Sequence, residues 1–301
     1  MGRPPGGVGG VRGILPVRVP GGERVFAEIL DGGQTFLWNR TPHGSWLGIH
    51  EGRVYEVSLS RDKRIAWACA DEDPGGAETA LRSFFAAATD FDALADALPW
   101  RSDPVLHPAM REFEGLRILR QPVETTLLSF LLSPLKKIAQ IKIGLRSLSR
   151  RFGTPVARGL SAPPDFSALS RAGENGLRAC GIGYRARSLF LTAKILAGDP
   201  GYLRRLETAD TEAAAEALMA LPGVGRKIAD CVLLFGLGRL EAFPIDTWIG
   251  REMRRLYGLE RFDDAAVRIF ARAHFGAAAG LAQQFLFARA RSRGPGGFSG
   301  S

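Results

Sequence analysis

The chain has 301 residues, 46% of them hydrophobic, and a formal net charge of +9, so it can bury a sizeable core in one large or two to three smaller domains and favours an anionic partner such as nucleic acid. No uninterrupted apolar run is long enough to span a bilayer, so no membrane partner is expected. Cys69, Cys180 and Cys231 stand far apart with no CxxC pair, which excludes a zinc ribbon or four-cysteine iron–sulfur cluster and argues for a reducing compartment. In chain order, residues 1–22 are rich in Gly and Pro and predict a flexible lead-in, with no secretory apolar core. From about Arg24 to Ala70 the text reads as strands. WLGIHEGRVYEVSLS alternates around a Glu51-Gly52 turn and predicts a hairpin, and RIAWACA a further strand. From about Glu78 the pattern turns helical, punctuated at Pro99, Pro122, Gly153, Gly181, Gly198 and Gly258. The expected fold class is α+β. A small antiparallel sheet domain over residues 23–110 precedes a mostly helical body over 111–291, and residues 292–301 form a second loose tail.

One helical stretch is charged with a single sign. Between Thr125 and Pro164 there is no Asp or Glu, while Lys142, Arg146 and Arg150 recur at helical spacing beside an apolar face of Ile141, Leu145, Leu148 and Phe152. The stripe is either a solvated helix face or, since such faces usually mix signs, a surface that contacts a phosphate backbone.

The segment with the most chemistry is LPGVGRKIADC, Leu221 to Cys231. A short helix from Thr211 leads into a turn in which Gly223 and Gly225 permit positive φ and close approach, and helix resumes at about Arg226. This is a helix-hairpin-helix layout: such a turn either only joins two packed helices, as many do, or offers exposed amides that can hold a phosphate and read backbone, not sequence. Lys227 falls in the first turn of the second helix, where the positive end of the dipole favours a neutral, nucleophilic amine. Cys231, four residues on, shares its face. Nineteen residues past Lys227, Asp246 is placed as the N-cap of a helix running to about Tyr257, with Gly258 as its stop. Such an aspartate is either only a cap or a fixed negative charge suited to a cation developing on a sugar.

With these residues in view, the chain resembles the helix-hairpin-helix GPD superfamily of base-excision DNA glycosylases. Within it, LPGVGRK, ADC and PID are similar to the 8-oxoguanine DNA glycosylase/AP lyase branch. Three further segments follow in family order: GGQTFLW at Gly32 to Trp38, LRACGIGYRARSL at Leu177 to Leu189, and AQQFLF at Ala282 to Phe287. The resemblance implies that Lys227 attacks the sugar carbon bearing the damaged base, forming a Schiff base and allowing β-elimination, with Asp246 assisting. It implies a base pocket of Gly33, whose carbonyl accepts the N7 hydrogen of oxidised guanine, with Gln283 on the Watson–Crick edge and Cys231 and Phe287 sandwiching the base, which is flipped from the duplex. DNA contacts are expected at Gly223, Gly225, Arg226, Tyr184, Arg185, Arg178, Lys136, Lys137 and Trp248.

The departures from the family pattern matter as much. LSPLKKIAQ stands where the family has SSNNNIAR, so Leu135 replaces a wedge asparagine and Gln140 an arginine that contacts the opposite cytosine. Trp248 replaces a histidine and Ala290 an aspartate. Opposite-base reading is therefore expected to be weaker. The implied partner is double-stranded DNA containing a damaged base, bound by a monomer. No cofactor is implied beyond a monovalent cation shared by the hairpin carbonyls and the phosphate. The alternatives are a glycosylase for another damaged base, such as an alkylated purine, and a catalytically inactive helix-hairpin-helix DNA-binding protein. The pairing of Lys227 with Asp246 argues against both.

Overall fold

A computed structural model describes residues 10–293. In order, they form β1 (Val11–Arg18), α1 (Gly22–Asp31), β2 (Trp38–Arg40), β3 (Trp46–His50), β4 (Arg53–Leu59) and β5 (Arg64–Cys69). The helical part follows with α2 (Pro74–Phe84), α3 (Phe91–Asp96), α4 (Leu106–Glu112), α5 (Val123–Leu131), α6 (Ile138–Phe152), α7 (Phe166–Leu177) and α8 (Arg185–Gly198). It closes with α9 (Tyr202–Arg205), α10 (Thr211–Met219), α11 (Arg226–Phe235), α12 (Thr247–Tyr257), α13 (Asp264–Phe275) and α14 (Ala279–Arg293). The sheet is antiparallel throughout, in the order β1-β5-β4-β3-β2. An α+β chain, with the small sheet leading and helices following, is what the sequence predicts. The Glu51-Gly52 hairpin forms as expected. Both residues take positive φ, 47° and 74°, which matches the twist of the strands they join.

Two local expectations are corrected. Residues 11–18 are not a loose lead-in but an edge strand. Leu15, Val17 and Val19 point into the core while Ile14, Pro16 and Arg18 point out. That period of two was hidden by the surrounding Gly and Pro. Pro16 is tolerated because β1 lies at the sheet edge, where a missing N–H breaks no central ladder. The second correction is α1, a helix inside text that reads as strand. Val25, Phe26, Ile29 and Leu30 fall on one buried face at helical spacing. At the far end α14 continues through Arg293, two residues past the expected limit, and the rest of that tail, like residues 1–9, lies outside the described residues.

A continuous apolar core joins sheet and helices, running from Leu15 and Trp38 through Phe84 and Phe130 to Phe243 and Leu286. The cationic stripe on α6 serves this junction. Lys142 donates to the Trp38 carbonyl at 2.6 Å and pairs with Asp31 at 2.5 Å, and Arg146 reaches Asn39. Two of its three cations thus fasten the helix to the sheet, and Arg150 is exposed. Among the described residues no helix is long and apolar enough to cross a membrane.

Candidate active site

The hairpin between α10 and α11 is built from its glycines outward. Gly223 has φ +83°, and an added Cβ would stand 2.6 Å from Ser188 Cβ, so both conformation and space demand glycine. Gly225 differs from expectation: its φ is −91°, ordinary extended backbone, and a Cβ there would meet nothing in the protein. Its bareness leaves the N-terminal amides of α11, which lack intrahelical partners, open to a ligand. Thr192 Oγ1 donates to the Pro222 carbonyl at 2.8 Å and moors the turn to α8. The Pro222 oxygen, the Leu221 oxygen (bonded by Val224 N) and the Gly225 oxygen (bonded by Ile228 N and Ala229 N) are all engaged. A monovalent cation there would share the remaining lone pairs of the Leu221 and Pro222 oxygens.

Lys227 leaves the first turn of α11 half-buried. Its Nζ lies 3.3 Å from Ser133 Oγ and 5.0 Å from the centre of the Phe130 ring. Ser133 Oγ is itself committed as donor to the Phe130 carbonyl at 2.8 Å, so it receives the lysine as an acceptor. Asp246 caps α12 as expected: its Oδ1 accepts from Trp248 N at 3.0 Å and Ile249 N at 2.8 Å. Lys227 and Asp246 line one open cavity of about 1200 Å³, and Gly33 and Phe287 stand on its wall. Gly33 has φ +105°, and a Cβ there would lie 3.5 Å from Ile138 and 3.9 Å from Phe287. Its turn is fixed by Gln34, whose amide donates to the Arg117 carbonyl and accepts from Leu119 N, both at 2.9 Å, while Gln121 bonds the Gln34 carbonyl. The same cavity takes in Lys136, Lys137, Gly223, Gly225 and Trp248.

Six expected site residues lie off that lining. Cys231 is buried behind Lys227, and burial pushes its thiol up to about 12 against the pull of the Lys227 charge. A protonated, enclosed thiol is no rival nucleophile. Gln283 is buried too, donating to the Pro244 carbonyl at 3.0 Å and accepting from Gln284. Arg226 grips protein, not solvent: its guanidinium binds both oxygens of Glu212 on α10 and its Nε reaches Asp230 Oδ1 at 3.0 Å. Arg178 pairs with Glu174 on the surface. Tyr184 is exposed, and the Arg185 guanidinium stacks 4.3 Å over its ring. Arg185 is buried and donates to the Pro134 carbonyl, bracing the loop between α5 and α6. On that loop Leu135 has φ +56° and is 93% exposed. Gln140 is exposed and folds back along the chain, its Oε1 accepting from Lys137 N at 3.1 Å at the start of α6.

The sequence does not single out Ser133, Phe130 or Gln34. Nothing in a lone Ser, Phe or Gln marks it; only the fold brings the first two under the Lys227 amine. Among the described residues no group of His, Cys, Asp and Glu is arranged to hold a metal ion.

This geometry has relatives. Residues 17–127 match the family described as "8-oxoguanine DNA glycosylase, N-terminal domain". The probable N-glycosylase/DNA lyase of Methanothermobacter thermautotrophicus is 42% identical over 132 residues, which are 44% of this chain and 40% of that one, so the match spans less than half of that relative. The N-glycosylase/DNA lyase of Saccharomyces cerevisiae is 31% identical over 260 residues, covering 78% of this chain and 69% of the yeast protein. Among solved structures, the 8-oxoguanine glycosylase/lyase of Clostridium acetobutylicum, in complex with double-stranded DNA containing cytosine opposite 8-oxoG, superposes with a TM-score of 0.82 at 29% identity over 89% of this chain and 91% of that one. The chain belongs to the 8-oxoguanine DNA glycosylase family, within the helix-hairpin-helix glycosylase superfamily.

Proposed function

We propose that this protein is a bifunctional DNA glycosylase/AP lyase that excises 8-oxoguanine from double-stranded DNA in base excision repair. The observation that carries the reading is the convergence of Lys227, Asp246, Gly33 and Phe287 on one cavity beside a glycine hairpin. The hairpin amides take a backbone phosphate, and the extruded nucleotide enters the cavity. The Lys227 amine attacks C1′ as the bond to the base breaks, and a proton from the nitrogen is passed on to the departing base. The Asp246 carboxylate, held by two backbone amides, offsets the positive charge that builds on the sugar. The C1′–O4′ bond then breaks, O4′ takes a proton and the sugar opens to an iminium, which acidifies the C2′ hydrogen, whose loss as a proton expels the 3′ phosphate and cuts the strand. The Gly33 carbonyl accepts the N7 hydrogen that only the oxidised base carries, and Phe287 stacks on its face.

All four residues come from one chain, which supports action as a monomer. The three buried free cysteines fit a reducing compartment, inside the cell with the DNA. Opposite-base reading is weak in this proposal, because Gln140 is spent on a helix start, Arg185 on a carbonyl, and the exposed side chain of the loop is an apolar leucine.

Borohydride trapping on an 8-oxoguanine duplex tests the chemistry. A covalent protein–DNA adduct is expected with the unaltered chain and its loss in Lys227→Gln. Base release without any adduct would instead mark a monofunctional glycosylase, and neither would mark a DNA-binding protein.

A further inference from the structure

The far rim of the cavity carries three arginines on α12: Arg251, Arg254 and Arg255. Arg254 is engaged, donating to the Phe262 carbonyl at 2.8 Å and pairing with Asp264 at 2.5 Å. Arg255 pairs with Glu252 at 2.8 Å. Arg251 has only the outer edge of an ion pair, 3.9 Å from the carboxylate of Glu252 that Arg255 already holds, and its side chain is 58% exposed. What orders it is aromatic: its guanidinium lies 5.3 Å over the ring of Trp248. Trp248 is itself left partly exposed at the cavity edge, one turn before.

Stacking and ion pairing use different parts of a guanidinium. A guanidinium held over a ring by its charge keeps its terminal N–H donors for a phosphate. A Trp–Arg pair is thus a pre-ordered anion receptor, not a platform for a base, because the ring face is already covered. Position agrees with this. Lys136 and Lys137 stand on the α5–α6 loop across the same cavity, while Asp246, Glu260 and Asp264 add negative charge to its wall. A polyanion entering there needs cations on both rims.

We propose that Arg251, stacked on Trp248, binds a phosphodiester of the lesion-bearing strand beside the extruded nucleotide, opposite the phosphate held by the hairpin. The assignment rests on the reading that this cavity receives the damaged nucleotide. It makes Arg251 a binding residue and Trp248 the group that positions it.

The test is equilibrium binding to an 8-oxoguanine duplex over a salt series, in a Lys227→Gln background that blocks turnover. Removing one phosphate contact lowers the slope of log K against log salt by about 0.9. Arg251→Ala is expected to show that decrease, and Arg251→Lys to keep the slope while binding less tightly. Arg61→Ala, on the β4–β5 turn, is expected to keep the parent slope. Trp248→Ala is expected to weaken binding when Arg251 is present and to add little when it is absent. An unchanged slope in Arg251→Ala overturns the assignment. So does a Trp248→Ala loss of the same factor with and without Arg251, which would place a base on the indole. Failure of the underlying reading shows separately, as the absence of a borohydride adduct from the unaltered chain; failure of the Arg251 assignment appears with that adduct intact.

Discussion

Asp246 serves two ends with one side chain. As an N-cap it satisfies two amides of α12, and as a carboxylate it supplies charge to the cavity beside Lys227. The two roles separate experimentally, because Asn caps a helix about as well as Asp. Asp246→Asn should therefore leave the thermal midpoint within a degree or two while slowing base release on the order of 100-fold or more, the scale of removing a preorganised electrostatic partner. A large fall in the midpoint with a modest fall in rate would reduce Asp246 to a cap. Single-turnover kinetics and a thermal melt on the same preparation decide it.

At the scale of elements, the hairpin depends on what lies behind it. Arg226 ties α10 to α11 through Glu212 and Asp230, and Asp230 is 1% exposed. Burial raises the Asp230 carboxyl from 3.8 to about 6, with Arg226 pulling it back down. The sign follows. Between those two values the folded state binds more protons than the unfolded one, so the contribution of Asp230 to stability is full below about 3.8 and is lost as pH rises through about 6. Taking Arg226 away leaves a buried carboxylate unpaired at pH 8 but an already protonated acid at pH 5. Arg226→Ala should cost about 3–5 kcal/mol at the higher pH, as for one partner of a buried pair, and clearly less at the lower. Urea unfolding at the two pH values measures this, and equal costs would show that Asp230 does not titrate with the clamp. The loop between α5 and α6 gives the second expectation at this scale. A good bidentate base contact is worth about 1–3 kcal/mol of discrimination, and neither Gln140 nor Arg185 is free to make one. Excision rates opposite C, A, G and T should then fall within about tenfold of each other; a strong preference for cytosine would show that Arg185 leaves Pro134 on binding DNA. These elements also mark how far the sequence could be read. The hairpin, the Asp246 cap and the Gly258 stop were legible because each depends on residues a few positions apart. The pairing of Arg226 with Glu212 was not legible, because Glu212 lies on the preceding helix and no local pattern reveals it.

For the whole molecule, the α+β order and the helical body were legible from periodicity, but the start of the sheet was not. Gly and Pro around Leu15, Val17 and Val19 masked an alternation that acquires meaning only when β5 lies alongside. A chain beginning at Val19 would lose β1 and the burial of Leu15 and Val17. At about 1.5–3 kcal/mol for each buried side chain, the loss is about 3–6 kcal/mol, a large share of the roughly 5–15 kcal/mol that holds a protein folded. The truncated chain should show a sharply lower urea midpoint, or no cooperative transition. An unchanged midpoint would return residues 11–18 to the status of a tail. Because the core runs unbroken from sheet to helices, and Lys142 and Gln34 fasten the two, that loss would reach Gly33 and the cavity wall as well.

The cap on α12 has one more consequence. Both amides bond the same oxygen of Asp246, Oδ1, so the plane of the carboxylate is fixed and a half-turn merely exchanges two identical ends. An asparagine in that seat has unlike ends. Its oxygen must take the two amides, which turns its NH₂ to the place where the second oxygen stood. The substitution does more than delete a charge: it reverses hydrogen-bond polarity at that point, presenting a donor to a sugar that is becoming positive.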